Sequence, residues 1–126
     1  MRILICDDEP LIAATLSEHL ELCGHRTSVF HSARDLLIDF DSGRADVGLV
    51  ITDLCMPDRD GLRLAETVRR LEPRIPVALM TSHALPWNDE DLRRRGVTCL
   101  LRKPLHMHLV EAVAASARDA AAKGTP

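Results

Sequence analysis

The chain is poor in aromatic residues, with two phenylalanines, one tryptophan and no tyrosine among its 126 residues. Proteins that bind single-stranded nucleic acid stack bases on several aromatic side chains, which this sequence cannot supply. A basic excess is also missing, because 16 Lys and Arg residues stand against 19 Asp and Glu residues, for a net charge of -3. Both shortages argue against direct nucleic-acid binding.

Long apolar segments are absent as well. The apolar run that follows Met1-Arg2 is far too short for the core of a secretory signal peptide. No run approaches the ~20 apolar residues that a membrane-spanning helix needs. The four cysteines contain no CxxC pair, which excludes a zinc knuckle or a thioredoxin motif. We therefore expect a cytoplasmic protein with no membrane partner and reduced thiols, and we expect Cys6, Cys23 and Cys99 to be small buried hydrophobic residues.

What the sequence does contain is a regular alternation of short apolar runs and amphipathic stretches. The runs predict strands over residues 3–6, 26–30, 47–52, 75–80 and 97–101. Helical spacing of apolar residues predicts helices over residues 11–22, 33–40, 62–71, 88–95 and 105–121. Pro10 suits the first turn of the first helix, Gly24 its end, and Ser32 the cap of the second. Five strand–helix units predict parallel pairing in a three-layer α/β domain.

The length favours a single domain, which we assign to residues 1–122. Residues 123–126 are expected to form a disordered tail or the start of a linker. Whether the chain acts alone or belongs to a longer regulator or hybrid kinase is left open.

Polar residues follow four of the predicted strands. Asp7 and Asp8 come after the first strand, Asp53 after the third, Thr81 after the fourth and Lys103 after the fifth. In open α/β sheets, ligands bind beyond the carboxyl ends of the strands. If the first and third strands are neighbours, three carboxylates converge at this edge.

Such a cluster of carboxylates needs positive charge nearby. Two like charges 4 Å apart repel by about 4 kcal/mol at an effective dielectric of 20. Lys103 supplies one positive charge, and Mg²⁺ is the divalent ion that suits hard carboxylate oxygens and phosphate. Glycine-rich nucleotide loops are absent, so a small phosphoryl group is the better ligand, and a carboxylate can receive it as an aspartyl-phosphate.

At this point the sequence resembles the receiver domain of bacterial two-component response regulators, over about residues 2–115. The resemblance rests on Asp7-Asp8, Asp53, the segment from Met56 to Gly61, Thr81-Ser82 and Lys103-Pro104. It implies a flavodoxin-like (βα)5 fold with a five-stranded parallel sheet in the order 2-1-3-4-5.

The resemblance also implies a role for each site residue. Asp53 is the phosphoacceptor, and Mg²⁺ is bound directly by Asp8 and Asp53, through water by Asp7, and by the backbone carbonyl of Cys55. Thr81 and Lys103 hold phosphoryl oxygens, and Lys103-Pro104 is a cis peptide. The side chain of Cys55 is otherwise an ordinary loop residue.

The implied function is a signalling switch. A sensor histidine kinase or a histidine phosphotransfer protein donates the phosphoryl group, and the affinity for a downstream protein or fused effector domain then changes. The domain promotes its own phosphorylation and dephosphorylation but is not a multiple-turnover enzyme. Its partner face is the fourth helix, fifth strand and fifth helix, and a phosphorylation-dependent dimer is compatible with the resemblance.

One position departs from the family pattern. Three residues before the lysine the family usually has Tyr or Phe, which acts as a rotamer switch, but this chain has Leu100. Leucine has neither a large ring nor a hydroxyl, so we expect Leu100 to couple phosphorylation to the output only weakly.

Two rival functions stay open at this point. A degenerate receiver that binds partners without phosphorylation gains slight support from Leu100. A metal-dependent phosphatase of another α/β family would commonly carry a DxD motif, which Asp7-Asp8-Glu9 is not.

Three further features have more than one interpretation. His83 either borders the site or is an exposed loop histidine. The charged residues 89–95 form either a partner surface or a solvated helix face. His106 and His108 are two residues apart on a predicted helix, so this pair does not share a face that could hold a metal ion.

Overall fold

A five-stranded parallel sheet forms the centre of the computed structural model, which describes residues 1–58 and 60–123. The strands lie in the order β2-β1-β3-β4-β5, and every neighbouring pair is parallel. They are β1 (Arg2–Cys6), β2 (Arg26–Phe30), β3 (Val47–Asp53), β4 (Val77–Thr81) and β5 (Cys99–Arg102). The helices are α1 (Pro10–Leu22), α2 (Ala33–Ser42), α3 (Gly61–Leu71), α4 (Asp89–Arg94) and α5 (Met107–Ala122). The predicted fold and strand order are confirmed.

Two hydrophobic clusters cover the two faces of the sheet. Leu4 and Cys6 of β1 face one cluster with α2, α3 and α4, whereas Ile3 and Ile5 face the other with α1 and α5. Successive side chains of a strand point to opposite faces, so a sheet covered on both sides needs a continuous apolar run. All seven residues of β3, the central strand, are buried.

Local signals set the ends of the first two helices as predicted. Pro10 occupies the first turn of α1, and Gly24 has a φ of 95°, a left-handed conformation that suits glycine after a helix. The Ser32 side chain accepts a hydrogen bond from the backbone N–H of Asp35 at the start of α2. That helix continues beyond Phe40 to Ser42, where the Ser42 hydroxyl donates to the Ile38 carbonyl.

Other boundaries move inward from the predicted ones. β4 begins at Val77 because Pro76 has no N–H to donate to a neighbouring strand. β5 begins at Cys99, since the Val97 N–H donates to the Leu92 carbonyl and closes α4 instead. α4 is shorter than predicted by one residue at each end, because Asn88 and Arg95 are its caps.

The expected burial of the cysteines is only partly right. Cys6 is buried and Cys99 is half-buried, but Cys23, the cap that follows the last residue of α1, is exposed. Lys123, the first residue of the tail predicted at residues 123–126, is the cap at the end of α5, where its N–H donates to the Asp119 carbonyl. Residues 124–126 of that tail, and Arg59 of the Met56–Gly61 segment, lie outside the described residues. Among the helices in the described ranges, none combines the length and apolar character that crossing a membrane requires.

Candidate functional site

The neighbouring strands β1 and β3 bring three carboxylates together at the carboxyl edge of the sheet. One oxygen from each of Asp7, Asp8 and Asp53 can be chosen so that all three lie within 4.8 Å of one another. Asp7 is completely buried, Asp53 is 7% exposed and Asp8 is exposed to solvent. The cluster therefore has a buried floor and an open side.

The buried carboxylate of Asp7 is held on several sides. Its Oδ1 accepts a hydrogen bond of 2.9 Å from the Glu9 N–H, and its own N–H donates to the Phe30 carbonyl. The backbone carbonyl of Asp7 lies 2.9 Å from Nδ1 of His31. These contacts fix Asp7 as the floor of the cluster.

Asp53 is positioned by the turn that follows β3. Its Oδ1 accepts a hydrogen bond of 3.0 Å from the N–H of Leu54. The Gly61 N–H donates to the Leu54 carbonyl at 2.7 Å, which packs the start of α3 against this turn. A Cβ at position 61 would collide with the carbonyl oxygen of Asp53, so only glycine fits behind the carboxylate.

Lys103 joins the carboxylates from the other side of the sheet edge. Its Nζ lies 3.3 Å from Oδ2 of Asp7, 3.3 Å from Oδ1 of Asp53 and 3.4 Å from Oε1 of Glu9. The peptide bond between Lys103 and Pro104 is cis, as the resemblance implies. The Lys103 side chain is 13% exposed, so its charge acts in a partly desolvated environment.

The pKa shifts reflect a site with more negative than positive charge. Burial and the charge of Asp7 raise the pKa of Asp53, and Lys103 offsets them only in part. Burial opposes the charge of Lys103, but Asp7 and Asp53 outweigh it and raise the pKa of Lys103. An added cation would thus relieve a repulsion that the single ammonium leaves.

Thr81 ends β4 at the same edge and is 2% exposed. Its hydroxyl accepts a hydrogen bond of 3.0 Å from the His83 N–H and lies 3.4 Å from the His83 carbonyl oxygen. The hydroxyl is therefore engaged with the loop that leads to α4. His83 is an exposed loop residue and borders the site as well, so both of its interpretations hold.

These groups surround an open cavity of about 260 Å³. The residues that line it come from four strand ends and include each predicted site residue except the buried Asp7: Asp8, Glu9, Asp53, Leu54, Cys55, Thr81, Ser82, His83 and Lys103. A small anionic group and one hydrated ion fit such a space better than a nucleotide. Glu9 and Ser82 line the cavity although the sequence did not single them out as site residues.

Glu9 is the residue that the sequence analysis missed most clearly. It lies at the end of the Asp7-Asp8-Glu9 run and precedes Pro10, so it has the appearance of an ordinary helix start. Its side chain makes no capping hydrogen bond and instead contacts Lys103. A contact across 94 residues has no local signal.

Two other acidic residues near the site have structural roles. The Asp58 carboxylate accepts hydrogen bonds from the N–H groups of Ala33 and Arg34 at the start of α2. The Asp60 carboxylate accepts one of 2.8 Å from the Arg63 N–H and caps α3. Acidic groups at helix starts are stabilised by the helix dipole.

The donor set of the cluster fits Mg²⁺. Three carboxylate oxygens within reach of one ion, one of them open to water, match the preference of Mg²⁺ for hard oxygen ligands and retained waters. Cys55 lines the same cavity, consistent with a backbone carbonyl contribution. A softer metal would favour nitrogen or sulfur donors.

The charged stretch that includes α4 is partly paired within the protein. Arg94 contacts Glu90 at 2.8 Å and Asp91 at 3.4 Å on the same helix. Arg95 contacts Glu66 of α3 at 3.0 Å. Arg94 and Arg95 are therefore paired within the chain, and Arg95 joins the end of α4 to α3.

Comparison with protein families matches residues 3–115 to a family described as the response regulator receiver domain. Among curated proteins, the chain is 28% identical over 111 residues to the sensor histidine kinase RcsC of Escherichia coli, covering 88% of this chain but 12% of RcsC. It is 31% identical over 114 residues to the signal transduction histidine-protein kinase BarA of Escherichia coli, covering 83% of this chain but 11% of BarA. The chain thus spans only a small part of the length of these relatives.

Solved structures match the fold over nearly the whole chain. A CheY-like receiver domain protein from Methanospirillum hungatei has a TM-score of 0.85 at 24% identity, covering 97% of both chains. The receiver domain of NtrX from Brucella abortus has a TM-score of 0.81 at 28% identity, covering 91% of this chain and 96% of that one.

Proposed function

The chain belongs to the family of response regulator receiver domains of two-component systems, and we propose that it is a phosphorylation-dependent switch with Asp53 as the phosphoacceptor. The observation that carries this proposal is the arrangement of Asp8, Asp53, Thr81 and Lys103 around one cavity at the carboxyl edge of the sheet. A receiver domain acts in signalling through its change of state, so we do not assign it a multiple-turnover reaction.

In the proposed step, an Asp53 carboxylate oxygen forms a bond to phosphorus as the bond from phosphorus to a donor imidazole nitrogen breaks. The bonding electron pair leaves with the imidazole, and the product is an aspartyl-phosphate. The hydrogen bond from Leu54 and the Lys103 contact both involve Oδ1 of Asp53, so we assign Oδ2 as the nucleophile. Phosphoryl transfer asks a protein mainly for positioning and charge neutralisation.

Mg²⁺ would be held by Asp7, Asp8 and Asp53 together with the backbone carbonyl of Cys55. When bound, the ion neutralises negative charge that the carboxylates and the phosphoryl oxygens bring together. Lys103 already contacts Asp53 and would pair with a phosphoryl oxygen of the product. The Thr81 hydroxyl would donate to another oxygen once it releases its contact with the His83 carbonyl.

The relatives support the choice of partners. RcsC and BarA are histidine kinases, and DctD of Rhizobium meliloti, which also matches part of this chain, is a transcriptional regulatory protein. We propose a sensor kinase or a histidine phosphotransfer protein as the donor, and a downstream protein or fused effector domain as the recipient of the signal.

The test is labelling by a small phosphodonor, phosphoramidate, in the presence of Mg²⁺. We expect intact-mass spectrometry to show one added phosphoryl group that is stable in acid and labile in base. Asp53→Asn should abolish the label. Asp58→Asn is the matched control, because its carboxylate caps α2, and it should keep the label.

Two results would contradict the proposal. Equal labelling of wild type and Asp53→Asn would remove Asp53 as the acceptor. A folded wild-type protein that binds Mg²⁺ but takes no label from phosphoramidate or from a phosphorylated histidine phosphotransfer protein would favour the degenerate, phosphorylation-independent module that Leu100 leaves open.

A further inference from the structure

A second group of potential metal ligands lies between α1 and α5 and shares no residue with the acidic cluster. One ligand atom from each of His19, Cys23 and Glu111 lies within 4.8 Å of the other two. Nε2 of His19 is 2.9 Å from Oε1 of Glu111, and Sγ of Cys23 is 3.5 Å from the same oxygen. Nitrogen, sulfur and oxygen donors therefore meet at one point on the surface.

The positions of these side chains follow from helix geometry. His19 and Cys23 are four residues apart, so they lie one above the other on one face of α1. The Cys23 N–H donates to the carbonyls of His19 and Leu20, which continues the helical path through the end of α1. On α5, His108 and Glu111 are three residues apart, and Nδ1 of His108 is 3.5 Å from Oε2 of Glu111.

The donor set matches zinc rather than magnesium. Zn²⁺ binds Cys sulfur, His nitrogen and carboxylate oxygen, usually four ligands at tetrahedral angles, with bonds of about 2.0–2.3 Å, so neighbouring ligand atoms lie about 3.3–3.7 Å apart. The spacing of 3.5 Å between Cys23 and Glu111 falls inside that range, and the spacing of 2.9 Å between His19 and Glu111 is slightly below it. Small side-chain rotations would therefore be enough to form the site.

We propose that His19, Cys23 and Glu111 bind a divalent transition-metal ion, with Zn²⁺ as the best match and His108 as the fourth ligand. The Cys23 side chain is exposed, and the side chains of His19 and Glu111 are 29% and 38% exposed, so an ion can reach the site from solvent. The His108 side chain is fully exposed and has room to turn toward the ion.

Bound metal would link the end of α1 to the first turns of α5. Both helices pack on the same face of the sheet, where Leu16 and Leu20 share a cluster with Val110 and Ala114. An ion that binds the folded chain and not the unfolded one stabilises the fold. The site is thus a link between two helices that does not involve the phosphoacceptor edge.

The test is a Co²⁺ and Zn²⁺ titration of the reduced full chain with Mg²⁺ in excess, so that the acidic cluster is occupied. We expect Co²⁺ to give a thiolate-to-metal charge-transfer band and the intense visible bands of a tetrahedral site, and one equivalent of Zn²⁺ to remove both. Cys23→Ser should abolish the charge-transfer band. His19→Gln and Glu111→Gln should each lower Zn²⁺ affinity by at least about tenfold.

Matched controls are available on the same protein. Cys99→Ala removes a thiol and His106→Gln removes a histidine next to α5, and neither residue belongs to the cluster. Both should bind Zn²⁺ like wild type, with circular dichroism showing that every variant is folded. Unchanged Zn²⁺ affinity in folded Cys23→Ser and Glu111→Gln, or a Co²⁺ complex without the thiolate band, would overturn the site. Unchanged affinity in His108→Ala would overturn the assignment of the fourth ligand.

Discussion

The guanidinium carbon of Arg95 lies 4.9 Å from the centre of the Trp87 ring. The same guanidinium donates to Glu66 of α3 at 3.0 Å. Arg69 of α3 also donates to the carbonyls of Arg93 and Arg94 at the end of α4. The loop after Thr81 and the short helix α4 are therefore tied to α3, and Trp87 lies where a movement of this loop changes its surroundings.

Trp87 should report activation even though Leu100 replaces the usual aromatic residue. Leu100 is half-buried and packs against the same core as Trp87, but a leucine fills less space than a ring and should couple weakly to Thr81. We expect beryllofluoride with Mg²⁺, a phosphoryl mimic, to change Trp87 fluorescence similarly in wild type and Leu100→Ala. Asp53→Asn should show no change. Loss of the response in a folded Leu100→Ala protein would show that the leucine performs the task of the aromatic residue.

Lys103 should be essential to the balance of charge in the site. Its Nζ is within 3.4 Å of carboxylates from Asp7, Glu9 and Asp53, and Asp7 is completely buried. Removing one partner of a buried ion pair costs about 3–5 kcal/mol. Urea unfolding without Mg²⁺ should show that Lys103→Met loses free energy of unfolding toward the lower end of that range. The loss is limited because Asp53 and Glu9 are less buried than Asp7.

Lys103→Arg keeps the charge and should retain most of the stability. The fluorescence response to beryllofluoride should be lost in Lys103→Met. A Lys103→Met protein as stable as wild type without Mg²⁺ would contradict this electrostatic account.

Mg²⁺ should raise the melting temperature through the acidic cluster. An ion at 100 times its dissociation constant stabilises the fold by about 2.7 kcal/mol. Asp8 is exposed, so Asp8→Asn should remove the shift without unfolding the protein. Asp41→Asn changes another exposed carboxylate, one that contacts Arg44, and should keep the shift. Thermal melts with and without millimolar Mg²⁺ measure the shift in melting temperature for both variants. A shift in Asp8→Asn as large as in wild type would exclude Asp8 from the metal site.

The four cysteines should divide into two reactive and two protected thiols. Burial raises the pKa of Cys6 to about 12, and burial raises the pKa of Cys99 as well. Desolvation and the nearby Glu111 raise the pKa of Cys23 too, but Cys23 and Cys55 are exposed, so the reagent can reach both thiols. In the native, metal-free protein we expect an aromatic disulfide reagent to react rapidly with two thiols. In native Cys23→Ser it should react rapidly with only one thiol, and in denatured wild type it should react with all four. Rapid reaction of Cys6 in the folded state would contradict its burial.

Asp46 should make stability depend on pH at the acid side. Burial opposes its charge, but Arg2 and then Arg26 outweigh burial and lower the pKa of Asp46. Because the pKa of Asp46 is lower in the folded state, the ionised carboxylate stabilises the protein at every pH above its pKa in the unfolded state. This stabilisation is lost as the pH falls through its pKa in the folded state. Because solvent screens this pair, Asp46→Asn should lower stability near pH 7 by less than about 1 kcal/mol.

Urea unfolding at a series of pH values checks this directly. The difference in free energy of unfolding between wild type and Asp46→Asn should stay constant near neutral pH and disappear as the pH falls below about 4. If this difference in free energy instead grew at acid pH, the pKa of Asp46 would be raised in the folded state and not lowered.

Much of this molecule follows from local patterns in its sequence. The five apolar runs predict where the strands lie, and Pro10, Gly24 and Ser32 predict the ends of α1 and the start of α2, because burial and backbone geometry act within a few residues. Asp53 and Lys103 could be recognised as site residues because parallel strands end at one edge. The strand order came from the family resemblance and not from the pattern of residues.

Tertiary structure decided the contacts between elements. Glu9 reaches Lys103, and Asp58 caps a helix far from it in sequence, because folding places their partners there. His19 likewise contacts Glu111, which is 92 residues away in the sequence. Helical spacing shows which residues share one face, as for His19 and Cys23, but not which helix packs against that face. That choice depends on how α1 and α5 together cover one side of the sheet, which is a property of the whole core.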